Sequence, residues 1–544
     1  MYFEEPFTPD ERTVLSRYFT NLDGPVFALI NLPEVVKGAL FARYSRTHKS
    51  LRRLLLDEFL SDSEHGIEAI AGALPGSDQT VATAKAEALY QRVFSEYGDD
   101  SVAQLGGVHL ACEQASNLLT KVLERGRLAA YLEQSTRYIY YDRPLGDRYR
   151  YLAPVEVTEA GLGPEYQATM DWLFGAYTQI VARLVPHFEE QFPQGKDDSD
   201  FVWKSTIRAK ACDAARGLLP AATTSNVGIY GTGQAYESLL LRMRAHPLAE
   251  ANDYSQLMLE ELRKVIPAFV KRVDIPGRGG VWSAYLANIR AEMNERSSAL
   301  GVKPEIRPEV VLTDWDPDGE LKVAAAALYA HSDLPDDQLL GLARELPGDA
   351  RAELIRTYAG DRTNRRHKPG RGMERTGYRF DILCDYGIFR DLQRHRLMSL
   401  DWQRLSTQHG YVTPAALQAV GGVDLWDEAM DRAAHLAERI DSAVGLDAAQ
   451  YAVPFAYKIR FYMDLNAREA FHLLELRTAQ GGHADYRRVC QEMHRLIRDQ
   501  AGHTAIADAM SYVDYNDYEL GRLESERRSA AKRRAAGVSE PAAQ

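Results

Sequence analysis

The segment RHRLMSLDWQRLST sets Arg394, His395 and Arg396 in succession, just after an apolar helical run. Three consecutive residues cannot all leave a helix on one side. At a helix end they can fan around a bound group and offer charge-assisted donors to phosphate oxygens. A solvated basic turn is the plainer alternative. Far upstream, RGRLAAYLEQSTRY ends in Glu133, Ser135 and Arg137, which alternate along the chain. An extended segment would place all three on one face. There a guanidinium and a hydroxyl suit a phosphate, and a carboxylate suits a sugar or base. A hydrogen-bonded strand edge explains the same pattern.

Two more positions carry comparable chemistry. Arg216, in AARGLLP, sits in an apolar setting just before a proline, so it is either paired inside the fold or held for an anion. The run NAREAFHLLELR supplies Asn466, Arg468, His472 and Arg477. Asn466, Ala470 and Leu473 or Leu474 have helical spacing, with Arg477 three turns along on about the same face. An ordinary amphipathic helix accounts for this equally well.

The elements that must position these groups are mostly helical. QLMLEELRKVIPAFVKRV and DEAMDRAAHLAERIDSAV have the three- and four-residue apolar spacing of helices. Strands are few: PEVVLTDWD reads as one, while GYRFDILCDYG and VHLACE fit either state. A predominantly helical α+β protein is expected. At 544 residues the chain exceeds one ordinary core. The Gly-, Pro- and charge-rich stretch 270–310 is the expected boundary, giving domains 1–285 and 305–525 and a flexible tail 526–544.

Bulk properties narrow the classes. The net charge of −12 ranks nucleic acid low as a partner, though a few local basic groups suffice for small anions. Four scattered cysteines without a CxxC pair point to reduced thiols in a cytoplasmic setting, with no structural metal site expected. No apolar run is long enough for a membrane span, and the acidic start lacks the apolar core of a secretory signal.

The chain also resembles itself. GALFARYS pairs with AALYAHS, ERGRLAAYLEQSTRY with QRHRLMSLDWQRLST, ARGLLPAATTSN with AQYAVPFAYKIR, and YESLLLRMRAHPLAE with REAFHLLELRTAQGGHAD. The order is the same in both halves, which argues for an internal duplication. The two halves should share a fold and pack as a pseudo-dimer. Gln450 then matches Arg216, and Gly233 matches Asn466.

Taken together, these motifs resemble the flavin-dependent thymidylate synthases, whose signature is RHR, seven residues, then Ser, often continued as RHRxxSxNExSxRY. The upstream copy matches through Arg125, Arg127, Glu133, Ser135, Arg137 and Tyr138 and departs at Gly126, Ala130 and Leu132. The downstream copy keeps Arg394, His395, Arg396 and Ser399, but has Asp401, Trp402 and Arg404 where the family has Asn, Glu and Ser. The family's His-rich element before the motif is altered to YGDDSVAQLGG, Tyr97 to Gly107. The resemblance implies two copies of that α+β fold, helices around a central sheet, and conversion of dUMP to dTMP. FAD would be the cofactor, with methylenetetrahydrofolate and NADPH as co-substrates, and fused chains would pair as a homodimer. By the same resemblance Arg394, His395, Arg396, Ser399, Asn466 and Arg468 hold the flavin. Glu133, Ser135, Arg137 and Arg216 hold the nucleotide, and Arg477 helps activate its uracil. The two copies would have lost opposite halves of one site, which both then complete. The alternatives are a flavoenzyme acting on another pyrimidine nucleotide and a non-catalytic binding relative.

Overall fold

A computed structural model describes residues 5–32, 34–44, 47–60, 104–196 and 198–537. Tyr97 to Ala103 of the altered His-rich element lie outside them. The first half runs β1 (Gly107–Ser116), α1 (Asn117–Leu123), β2 (Ala129–Glu133), α2 (Gly163–Gln191), α3 (Asp200–Ala215), a 3-10 turn at Arg216–Leu218, β3 (Thr224–Thr232), α4 (Gly233–Arg244) and α5 (Ala249–Val265). After α6 (Val281–Ser298) and β4 (Val310–Trp315), the second half repeats the order, with the one-turn helix Leu446–Ala449 in the place of α3. It has β5 (Gly377–Asp385), α7 (Tyr386–Leu392), β6 (Ser399–Trp402), α8 (Val423–Ala443), a 3-10 turn at Gln450–Ala452, β7 (Lys458–Asn466), α9 (Ala467–Arg477) and α10 (Ala484–Asp499). The protein is α+β and predominantly helical. Both ambiguous segments, VHLACE and GYRFDILCDYG, are strands, and their sheets share one order, β1-β3-β2 and β4-β5-β7-β6.

The chain forms two compact bodies that interleave the halves. Of the described residues, one comprises those within Met1–Glu113, Val122–Glu133 and Asn226–Val302; the other comprises those within Gln114–Lys121, Gln134–Ser225 and Lys303–Gln544. In the first, β2 pairs antiparallel with β3, from Ala129 opposite Gly231 to Glu133 opposite Val227. The buried Tyr236 of α4 ties that sheet down by donating to the carbonyls of Val108 (2.9 Å) and Ile229 (3.1 Å).

The second body holds a seam between the repeats. Ala221 N–H donates to the Val453 carbonyl and Phe455 N–H to that of Leu219, both at 2.9 Å. Ala456 N–H donates to Gly217 (2.9 Å) and Ala222 N–H to Tyr451 (3.0 Å). Each bond in a pair is the image of the other about Pro220 and Pro454, which meet as an isolated antiparallel bridge. This is a local two-fold within one chain, and it fixes the match of Arg216 with Gln450. Glycine is required at its edge, because a Cβ on Gly217 would stand 2.5 Å from Trp426 Cη2. Helices α2 and α8 flank the seam, joined by an Arg439–Glu165 ion pair (2.7 Å) and by Arg432 over the Trp172 ring.

Two expectations need correction. The presumed tail is helical as far as α11 (Leu523–Ala535) runs and docks on α3, where Arg527 grips Asp198 just before it at 2.7 and 3.0 Å and Arg533 lies over Phe201; residues 538–544 lie outside the described residues. Gly233 is not the counterpart of Asn466. Thr232 is, since each caps the helix after its strand, Thr232 accepting from Ala235 N–H (3.3 Å) and Asn466 from Glu469 N–H (2.9 Å). The same register sets Gln234, Ser238 and Met243 opposite Arg468, His472 and Arg477.

Candidate functional site

Arg394, His395 and Arg396 follow the end of α7, as a fan at a helix end requires. His395 turns inward, whereas Arg394 and Arg396 are exposed. The His395 imidazole is fixed at both nitrogens. Nε2 accepts from Arg477 Nε–H at 3.0 Å, and an arginine cannot accept in return. The proton therefore sits on Nδ1, directed at Glu469 Oε1 3.1 Å away. Burial pushes the histidine pKa down to about 4, with Arg477 adding to the shift against the pull of Glu469. Burial pushes the Glu469 carboxyl up, but His395 and His472 outweigh it and hold it near 2. His395, Glu469 and His472 bring ligand-type atoms within 4.8 Å of one another. The proton on Nδ1 disqualifies that nitrogen as a metal ligand while Arg477 holds Nε2.

Tyr486 of the second half links Arg477 to Arg137 of the first. The Arg477 guanidinium carbon lies 5.5 Å from the Tyr486 ring centroid, and that of Arg137 lies 5.6 Å from the same ring. Arg137 Nη1 donates to the Tyr486 hydroxyl at 3.2 Å, and its Nε and Nη2 each donate to an Asp213 oxygen at 2.7 Å. Burial pushes the Asp213 carboxyl up, yet Arg137, His483 and Arg522 hold it far below the usual carboxylate range. The fork of Arg137 is thus filled by a carboxylate of its own chain.

Arg216 forms the third arm. It is buried, its Nη1 stands 3.4 Å from Asp391 Oδ2, and its Nη2 has no hydrogen-bond partner among the described residues. Burial pushes Asp391 up, but Arg216, Arg394, Arg137 and Arg477 together drive its carboxyl well below the ordinary range. Four guanidinium groups thus surround one acid, and Asp213 answers part of that charge. The remaining excess suits a phosphate dianion. Nearby Asp385, capping α7 by accepting from Ile388 N–H (3.0 Å), is raised by burial to about 7 against the influence of Arg216.

Glu133 ends β2 in the first body, and Ser135 lies beyond the strand where the chain turns. The expected single extended face is therefore absent; Ser135 Oγ instead accepts from Arg137 N–H (3.2 Å). Ser399 opens β6 and is exposed. Arg468 is held by the Pro369 carbonyl (3.0 Å) and Glu374 (3.2 Å). Sequence reasoning missed Asp213, Asp391, Glu469 and Tyr486, which pair over long separations; only Glu469, inside NAREAF, had a local signal. A cavity of about 790 Å³ in the same body meets the network only through Asp213, His483 and Arg522. All four cysteines are buried, and burial pushes the Cys112, Cys212 and Cys490 thiols up to about 12, so none offers a ready thiolate.

The pattern of the thymidylate synthase complementing protein family matches this sequence twice, over residues 54–268 and 310–501. The chain belongs to that family. It is a thymidylate synthase-like protein that carries the family fold in tandem. Among relatives of this tandem thymidylate synthase-like protein, a UPF0159 protein of Chlamydia muridarum is 38% identical over 97% of this chain and 99% of its own. One of Chlamydia pneumoniae is 38% identical over 96% and 98%. One of Thermoplasma acidophilum is 27% identical over 91% and 99%. A solved UMP/dUMP methylase from Streptomyces cacaoi, bound with 5-Br dUMP, aligns over 37% of this chain and 94% of its own, at 20% identity and a TM-score of 0.29. No described helix is long and apolar enough to cross a membrane.

Proposed function

We propose that this protein methylates dUMP to dTMP at a composite site, with the nucleotide held by first-half residues and the flavin by second-half residues. The observation that carries the reading is convergence inside one compact body: Arg137 and Arg477 share Tyr486, and Arg216 and Arg394 share Asp391. The donor set fits both groups. Arg216 Nη2 is buried without a partner, and the two terminal nitrogens of Arg477 have none among the described residues. Such donors suit a phosphate or a pyrimidine oxygen.

Arg216 and Arg137, with Ser135 beside Arg137, would hold the nucleotide phosphate. Arg477 would stabilise negative charge on the activated uracil, as a preorganised donor does at a developing anion. His395 accepts from Arg477 Nε and donates to Glu469, so it fixes where that guanidinium points. Arg394, Arg396, Ser399, Asn466 and Arg468 would bind FAD with His395. A flavin held there, reduced by NADPH, would supply the electrons needed to bring the one-carbon unit of methylenetetrahydrofolate to the methyl level. Once the new carbon–carbon bond has formed, the uracil C5 proton would leave to solvent.

One observation favours a second reading. The Arg137 fork is closed by Asp213 and Tyr486, which would suit a protein that binds another pyrimidine nucleotide or is not catalytic. Two measurements separate the readings. Rescue of a thymidine-requiring strain supports thymidylate synthesis, and failure of folded, flavin-loaded protein to rescue it refutes that function. A purified protein without a flavin spectrum, even after incubation with FAD, refutes the flavin assignment.

A further inference from the structure

Helix α6 (Val281–Ser298) lies in the interval between the two family-matched stretches, so the duplicated fold assigns it no task. One face anchors it to α4: Ser283 donates to the Leu241 carbonyl (3.2 Å) and Arg290 to that of Ala245 (2.9 Å). The other face is apolar and open. Trp282 is 53% exposed, Tyr285 59%, Ile289 43% and Met293 57%. At 3.6 residues per turn these four and Arg296 fall within an arc of about 80°. Single exposed apolar residues need no explanation, but an aligned stripe with two aromatics and a methionine is what an interface core contains.

The stripe is complementary to itself. An antiparallel copy related by a two-fold axis at Ile289 sets Ile289 on Ile289, Tyr285 on Met293 and Trp282 on Arg296. Those are an aliphatic pair, a sulfur–aromatic pair and a cation–π pair. The acids Glu292 and Glu295 fall level with Leu286 and Ser283, so no like charges oppose each other. A parallel copy would instead set Arg296 on Arg296. We propose that α6 is an interaction surface whose partner is α6 of a second copy of this chain, antiparallel about Ile289.

The test combines mass with cysteine cross-linking on the full chain. The native cysteines are buried, so introduced thiols report without background. Under oxidation Ile289→Cys should give a disulfide-linked dimer. Tyr285→Cys and Met293→Cys should each stay monomeric alone but cross-link when mixed. In sedimentation velocity the wild type should show a concentration-dependent dimer, and Trp282→Glu should shift it to monomer with an unchanged circular dichroism spectrum. Failure of Ile289→Cys to cross-link overturns the proposal. Cross-linking of Tyr285→Cys with itself refutes the antiparallel register. An unchanged mass for Trp282→Glu points to a different partner on this face, and overturns the proposal as well. The cysteine arms decide the matter if Trp282→Glu fails to fold.

Discussion

Replacing Asp213 by Asn separates an ion pair that merely builds the fold from a substrate fork held by an internal stand-in. Asp213 contacts Arg137 through two 2.7 Å bonds, and Arg522 Nη2 stands 3.8 Å from the same carboxylate. Removing the negative charge leaves Arg137, which is 8% exposed, buried beside a second cation. Breaking a buried pair from one side costs about 3–5 kcal/mol. The variant should lose that much stability in urea unfolding in plain buffer. If Arg137 receives the nucleotide phosphate, dUMP replaces the missing anion and no longer competes with Asp213. Binding to the variant should then tighten at least about tenfold, near 1.4 kcal/mol, and dUMP should return part of the lost stability by linkage. Deoxyuridine, without the phosphate, should do neither. The assay is urea unfolding with and without each ligand, alongside calorimetric titration. A destabilised variant whose dUMP affinity is unchanged or weaker would refute the reasoning and make Arg137 a structural residue.

Other outcomes follow from the same geometry. Native His395 accepts a proton only near pH 4, against about 6.5 when unfolded. Unfolding therefore takes up a proton between those values and stability falls as pH drops through that window, by about 3 kcal/mol for this group. His483, pushed down to about 4 chiefly by burial, acts in the same direction, so melting temperatures from pH 7 to pH 4.5 should drop steeply, and a flat profile would contradict the buried neutral imidazoles. Arg477→Lys removes the Nε–H that meets His395 while keeping a cation; kcat should fall on the order of 10²–10³-fold with flavin retained, checked by turnover and absorbance. Gly217→Ala forces a Cβ against Trp426 at the seam and should cost about 1–3 kcal/mol, read by thermal unfolding.

The chain declared its elements and its duplication more readily than its site. Val310–Trp315, the α9 helix and the basic fan after Leu392 follow from local pattern and turn position, both short-range, whereas Asn466, expected on the helix face, ends β7 and caps α9. Arg216 and Arg137 were also legible, because buried or interleaved arginines announce a need for anions. Their partners were not. Asp213 lies 76 residues from Arg137, and Asp391 lies 175 from Arg216, and no spacing rule links residues so far apart. The one-residue error at Gly233 has a similar origin: glycine opens α4 where alanine opens α9, and the cap that fixes the register is a hydrogen bond, which letters do not show. The tail misled because its polar, Ala-rich composition suits fraying, while Arg527 and Arg533 find partners on α3.

The central claim is that one site needs groups from both halves, and steady-state turnover of dUMP by FAD-loaded protein tests it most directly. Arg137→Ala and His395→Ala should each abolish dTMP formation, and the double variant should be no worse than either alone, as for residues that act as one unit. Two independent sites, one per half, would instead leave each single variant with substantial turnover and only the double variant inactive, and that result would contradict the account.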